Sequence, residues 1–246
     1  MCTVSWLATD AGGYELFFNR DEQHTRQRAA APSVHEQDGV RFLAPIDTDA
    51  GGTWLLVNEH GVTMCLLNRY PPAAPQPVDQ RSRGLLLLEL ASAPRAAEVF
   101  ARLSAVELRR YRPFTLLALD RSEPAQRAWW DGRRLSVSPS PSPVPLFSSS
   151  KRADEVAASR QALWRDTVLA AGGPDRARQL AYHRSREPER GALSPCMHRD
   201  DAATVSFSWV RVDAETVSIS YADGAPCDVE LAPPLTLGRR ALLATA

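Results

Sequence analysis

The sequence has almost no lysine: of 29 basic residues in 246, Lys151 alone is not an arginine. It has no excess of charge either, since 29 acidic residues balance those 29 and the pI is near 7.0. No long-range field is therefore available to recruit nucleic acid or an anionic membrane surface, and neither partner is expected. The arginine bias reads as the codon usage of a GC-rich genome and says little about phosphate binding. Long apolar runs are also missing. Leu85 to Leu90 is interrupted by Glu89 and falls short of the ~20 apolar residues that span a bilayer, so no membrane span is predicted. Met1 to Leu7 carries no basic n-region, and Thr9 and Asp10 come too early for a secretory h-region, so the expected location is the cytoplasm. Cysteine is sparse: Cys2, Cys65, Cys196 and Cys227 show no CxxC spacing. Reduced and scattered thiols predict neither a zinc site nor a disulfide framework, and no metal is expected.

What is present suits one globular domain over residues 1–246. Apolar residues make up 44% and charged residues 24%, which is ordinary for a soluble chain with a sizeable core. Thr3 to Thr9 and Tyr14 to Phe18 flank the turn signal Asp10-Ala11-Gly12-Gly13 and read as a hairpin. The polar stretch from Gln23 to Gln37 reads as a long functional loop. Thr53 to Val57 and Val62 to Leu67 form a second hairpin around Asn58-Glu59-His60-Gly61. Past a Pro-rich segment, residues 82–92 and 94–103 read as two short helices, the second opened by Pro94. Strands are expected at Phe114 to Leu119, Gln126 to Asp131 and Arg133 to Val137, and the Ser/Pro run 138–145 then reads as a surface connection. Residues 153–171 carry a helical apolar stripe stopped by Gly172-Gly173-Pro174; Asp175 to His183 reads as another helix, and Ala203 to Val212 with Thr216 to Tyr221 as a closing hairpin. Hairpin-linked strands and consecutive helices predict an α+β fold with mostly antiparallel sheets.

Several positions carry chemistry. Removal of Met1 would place a thiol and a free α-amino group together on Cys2. A thiol of pKa ~8.5 is mostly protonated at neutral pH, and an amine near ~7.7 to 8.0 can take its proton. Asn19-Arg20-Asp21-Glu22 falls where the first hairpin brings the second strand back beside Cys2; Arg20 can lower the thiol pKa, and Asp21 can hold the ammonium or orient Arg20. In Gly51-Gly52-Thr53-Trp54 the glycines permit close backbone approach and the indole supplies a pocket wall. Asn68 offers an amide suited to an oxyanion. Cys196-Met197-His198 places soft and imidazole donors together, with His198 as a ligand contact if it faces a pocket.

Together, Met1-Cys2, Asn19-Arg20-Asp21-Glu22, Gly51-Gly52-Thr53-Trp54, Asn68, Ser82-Arg83-Gly84 and Cys196-Met197-His198 resemble the NRDE family, also called the transport and Golgi organisation 2 family. The resemblance spans nearly the whole chain. It implies a four-layer αββα sandwich of the N-terminal nucleophile hydrolase type, related to conjugated bile acid hydrolases and penicillin V acylases, with the Cys exposed by Met removal as nucleophile. Arg20, Asp21 and Asn68 are similar to the Arg, Asp and oxyanion-hole Asn of those enzymes. Here Arg20 and Asp21 are adjacent, whereas the hydrolases hold two residues between them.

The leading expectation is a cofactor-free amidohydrolase or acyltransferase for a small acylated substrate. Its catalytic residues would be Cys2, Arg20, Asp21 and Asn68, with Asn19, Glu22, Gly52, Thr53, Trp54 and His198 binding substrate. The alternative is a non-catalytic carrier that holds haem or an acyl lipid in the same pocket, with Cys2 or His198 in contact. The sequence assigns neither the substrate nor an oligomeric state.

Overall fold

A computed structural model describes residues 2–140 and 144–240; Met1 and part of the Ser/Pro run 138–145 lie outside them. The chain opens with the expected hairpin, β1 (Cys2–Ala8) and β2 (Tyr14–Gln23), but the second strand continues well past Phe18. Asn19 to Glu22 therefore lie within a strand rather than at its end. The polar stretch after Gln23 is not simply a loop, because β3 (Ala30–Gln37) pairs with β4 (Val40–Ile46). Their turn has Asp38 at φ 52° and Gly39 at φ 73°, the two left-handed residues of an Asp-Gly hairpin. Its polarity follows from position: β3 is an edge strand with mostly exposed side chains, so it needs no apolar face.

The chain continues with β5 (Leu55–Asn58), β6 (Thr63–Asn68), α1 (Arg83–Leu90), α2 (Ala96–Ser104), β7 (Phe114–Leu119), β8 (Gln126–Trp130), β9 (Leu135–Pro139) and β10 (Leu146–Ser148). The long helix expected over 153–171 is α3 (Ala153–Trp164) followed by a π-helical turn, Arg165–Leu169. Then come α4 (Arg176–Arg184), β11 (Ala202–Val212), β12 (Thr216–Ala222) and a short β13 (Leu235–Gly238).

Two antiparallel sheets result, ordered β10-β1-β2-β11-β12-β13 and β3-β4-β5-β6-β7-β8-β9. Side-chain alternation sorts each strand between two layers. Val4, Trp6, Leu16 and Phe18 of the first sheet bury their side chains against Leu43, Leu55, Val57, Leu67 and Leu117 of the second. On the far side of the second sheet, Leu56, Met64, Leu66 and Leu116 pack under Leu86, Leu87, Val99 and Phe100 of α1 and α2. On the far side of the first, Leu7, Phe17 and Phe207 meet Leu180 of α4. The order of layers is helices, sheet, sheet, helices, an α+β sandwich as expected.

Candidate active site

Cys2 and Arg20 are directly opposite each other in the β1–β2 ladder. Both sit on the face turned toward the second sheet, because Val4, Trp6, Leu16 and Phe18, two and four residues away, are on that face. A cavity of about 150 Å³ opens there, lined among others by Cys2, Arg20, Asp21, Glu22, Gly52, Thr53, Trp54 and Asn68. Eight of the ten residues expected at the site thus meet at one place.

The second wall is built by close backbone contact. A Cβ on Gly52 would lie 2.4 Å from the Gly84 carbonyl carbon, and one on Gly84 would lie 2.8 Å from the Thr53 nitrogen. Only glycine at both positions lets the start of α1 lie on the 51–54 turn. The Thr53 N–H donates to the Gly84 carbonyl at 3.1 Å. This contact presents Trp54 to the first sheet, and the Arg20 guanidinium stacks 4.3 Å from its ring centroid. Arg20 also stands 3.4 Å from both Glu22 and Asp47, and Arg26 reaches Asp47 at 2.7 Å. Arg20 is thereby aimed by Trp54, Glu22 and Asp47, and the last of these was not anticipated from the sequence.

Asp21 has a different surrounding from the one expected. One residue along the strand from Arg20, it projects its carboxylate to the helix side, accepts from Thr204 Oγ1 at 2.6 Å and lies 3.5 Å from Arg160. Both members of that ion pair are fully buried. Its main-chain N–H, by contrast, serves the Cys2 thiol. On balance that thiol is raised above its ordinary value: burial pushes it up most, the positive amino terminus of the chain pulls it down, the Asp21 charge pushes it up, and the Asp21 N–H and then Arg20 pull it down by less. Cys65, on the same inner face, is pushed well above its ordinary value by burial.

Two expected binding residues lie elsewhere. Asn19 alternates to the helix side with Asp21, where its amide donates to the carbonyls of His183 and Pro195 at 2.9 and 2.8 Å and its oxygen meets His183 Nδ1 at 3.0 Å. It locks α4 to the sheet and does not line the cavity. His198 is also absent from the cavity; its neighbours are Cys196, Cys227, Arg190 and Asp228. Asn68 ends β6 at the cavity rim and donates to the Tyr70 hydroxyl at 3.3 Å. The cavity also holds Arg83, whose guanidinium donates to the Pro113 carbonyl and is held below the usual arginine range by burial. The Ser82-Arg83-Gly84 segment signalled this residue, although its direction into the cavity depends on the Gly52–Gly84 contact.

The family model for transport and Golgi organisation 2 matches residues 1–161. No curated protein matches the chain. Among solved structures, a C2A variant of the conjugated bile acid hydrolase from Clostridium perfringens superposes with a TM-score of 0.56 at 12% identity, covering 97% of this chain and 92% of that one. The N-acylethanolamine-hydrolyzing acid amidase ortholog of Caenorhabditis elegans gives 0.55 at 13%, covering 84% and 91%. Penicillin V acylase from Agrobacterium tumefaciens gives 0.50 at 13%, covering 90% and 86%. At these identities the likeness is one of fold, the N-terminal nucleophile hydrolase fold.

Proposed function

The chain belongs to the transport and Golgi organisation 2 family, and from that membership and the cavity around Cys2 we propose that it is an N-terminal cysteine amidohydrolase or acyltransferase for a small acylated substrate. The observation that carries this reading is the placement of Cys2, Arg20 and Asn68 on one cavity. Once Met1 is removed, the α-amine of Cys2 accepts the thiol proton and Sγ attacks the substrate carbonyl. The Asn68 amide donates to the resulting oxyanion. Collapse of the adduct breaks the C–N bond, and the leaving amine departs with the proton held by the α-amine. Water, or an acceptor amine for the transferase, then attacks the thioester and restores the thiol. Arg20, held by Trp54, Glu22 and Asp47, favours the thiolate, and the Asp21 main-chain N–H supports the sulfur. Trp54 gives the acyl chain an apolar wall.

The carrier reading puts Cys2 or His198 in contact with haem or an acyl lipid in the same pocket; Cys2 lines this cavity and His198, the imidazole donor, does not. We therefore expect haem to give no stoichiometric Soret shift dependent on either residue.

The test uses Met1-free protein and a panel of N-acyl amines, read by amine release and by intact mass after acid quench. A Cys2-linked acyl adduct with turnover that Cys2→Ala abolishes is the expected result. Unchanged amine release in Cys2→Ala, or no adduct and no release across the panel, would overturn the proposal.

A further inference from the structure

Away from the Cys2 cavity, the fold brings a distant third donor, Cys227, to the Cys196 and His198 side chains that the sequence already places together. Cys196 and His198 precede β11, and Cys227 sits in the turn after β12. His198 Nε2 lies 3.3 Å from Cys227 Sγ and 3.7 Å from Cys196 Sγ, and the two sulfurs are 2.7 Å apart. We propose that Cys196, His198 and Cys227 bind one divalent cation of the zinc class, clipping the turn after β12 to the segment before β11.

Two sulfurs and an imidazole nitrogen form a soft to borderline donor set, the combination zinc takes at ~2.3 Å from sulfur and ~2.0 Å from nitrogen. The three atoms all lie within 4.8 Å of one another, so one ion reaches them together. Tetrahedral bonds of ~2.3 Å hold two sulfurs ~3.8 Å apart, so loading spreads the pair by roughly 1 Å. Cys196 is buried and its N–H is tied to the Ser185 carbonyl at 3.0 Å, so half-buried Cys227 is the residue that moves. Asp228 Oδ2, 4.0 Å from His198 Nε2, stands where a fourth donor or a bound water belongs.

Charge and the contacts around the three donors fit as well. Binding releases both thiol protons to solvent, and Arg186 and Arg190 flank the resulting anionic set. With Nε2 on the ion, His198 carries its proton on Nδ1; Arg190, now 3.4 Å from that atom, turns fully to Asp228, which it already approaches at 3.6 Å. The clip has a structural readout. Met197 exchanges main-chain and side-chain bonds with Thr204, and Thr204 donates to Asp21, so a loaded site stiffens the edge that holds the Asp21–Arg160 pair.

The test takes the full chain, reduced and stripped with a chelator, and titrates it with zinc and separately with cobalt(II). Expected are one equivalent bound, thiolate-to-cobalt charge-transfer absorption, protection of two thiols from alkylation and a higher Tm. Cys227→Ser and His198→Gln, verified as folded by circular dichroism, should each weaken zinc binding tenfold or more, while Cys2→Ala keeps it. His198→Gln changes a partly exposed residue and serves even if Cys227→Ser fails to fold. Absence of saturable one-equivalent binding, binding unchanged in the folded variants, or a Cys196–Cys227 disulfide that forms in air and that prior zinc does not prevent would each overturn the proposal.

Discussion

Cys2 and Arg20 are cross-strand partners whose side chains leave the β1–β2 ladder on the same face, while Asp21, next in sequence, sends its carboxylate to the opposite face. The two charges of the Arg-Asp pair consequently serve different layers. Arg20 acts at the cavity, and Asp21 joins the sheet to α3 through Arg160.

This division sets an order of thiol reactivity. In Met1-free protein, limited alkylation near neutral pH should modify Cys2 before Cys65, which is fully buried and pushed far up. Arg20→Ala should slow the Cys2 reaction severalfold by removing a charge that favours the thiolate, with an unchanged circular dichroism spectrum. Peptide mapping over time checks it; equal rates in the parent and in Arg20→Ala would remove Arg20 from the mechanism.

How far the site could be read in advance depended on strand phase. Cys2, Arg20, Gly52, Trp54 and Asn68 were legible because hairpin signals put them at one end of the sandwich. The extension of β2 to Gln23 was not, since Asn19-Arg20-Asp21-Glu22 is polar and polar residues usually mark a strand end. A strand buried on both faces by charged partners has no hydrophobic alternation to read. Hence no sequence signal shows that the Asn19 side chain goes to the helix side, and Arg160, a lone arginine in a helix, gives no signal either. The Cys196–His198–Cys227 cluster was hidden for another reason: its third member comes from a turn on the far side of the β11–β12 hairpin, so no local spacing reports it. The Asp38-Gly39 turn was available in the sequence and belongs to the strand pair β3–β4.

The glycine contact gives a graded prediction. Gly52→Ala must push Gly84 backbone, since its Cβ would be 2.4 Å from a main-chain carbon, and should cost about 2 to 3 kcal/mol. Gly51→Ala meets no atom within 4 Å but keeps a φ of +67° and should cost only about 1 kcal/mol. Urea unfolding of both variants measures the difference. A larger loss at Gly51 than at Gly52 would contradict the backbone contact as the device that seats α1.

Arg160→Leu should destabilise by about 3 to 5 kcal/mol, because it removes the buried guanidinium that faces the buried Asp21 carboxylate. The double variant Arg160→Leu with Asp21→Leu should recover part of that loss by removing both charges. Denaturation midpoints in a double-mutant cycle decide it; strictly additive losses would mean the pair is not coupled.

Finally, stability should fall on mild acidification through one buried histidine. His183 is fully buried, and burial followed by the charge of Arg160 lowers its pKa to about 3. The unfolded chain takes up this proton near pH ~6.5 while the folded chain does not. A depressed folded pKa means that the contribution is complete above ~6.5 and is lost as pH falls toward 3. The slope approaches ~1.4 kcal/mol per pH unit. Between pH 7 and pH 5, above most carboxylate titrations, the loss amounts to about 2 kcal/mol for this residue. His183→Gln preserves a polar side chain facing Ser5 and Asn19 but cannot titrate, so it should flatten the pH dependence by that amount even if it lowers stability at pH 7. Urea unfolding of both proteins at pH 5, 6 and 7 makes the comparison. An unchanged slope in His183→Gln would assign the acid sensitivity to other groups and show that His183 titrates alike in the folded and unfolded chains.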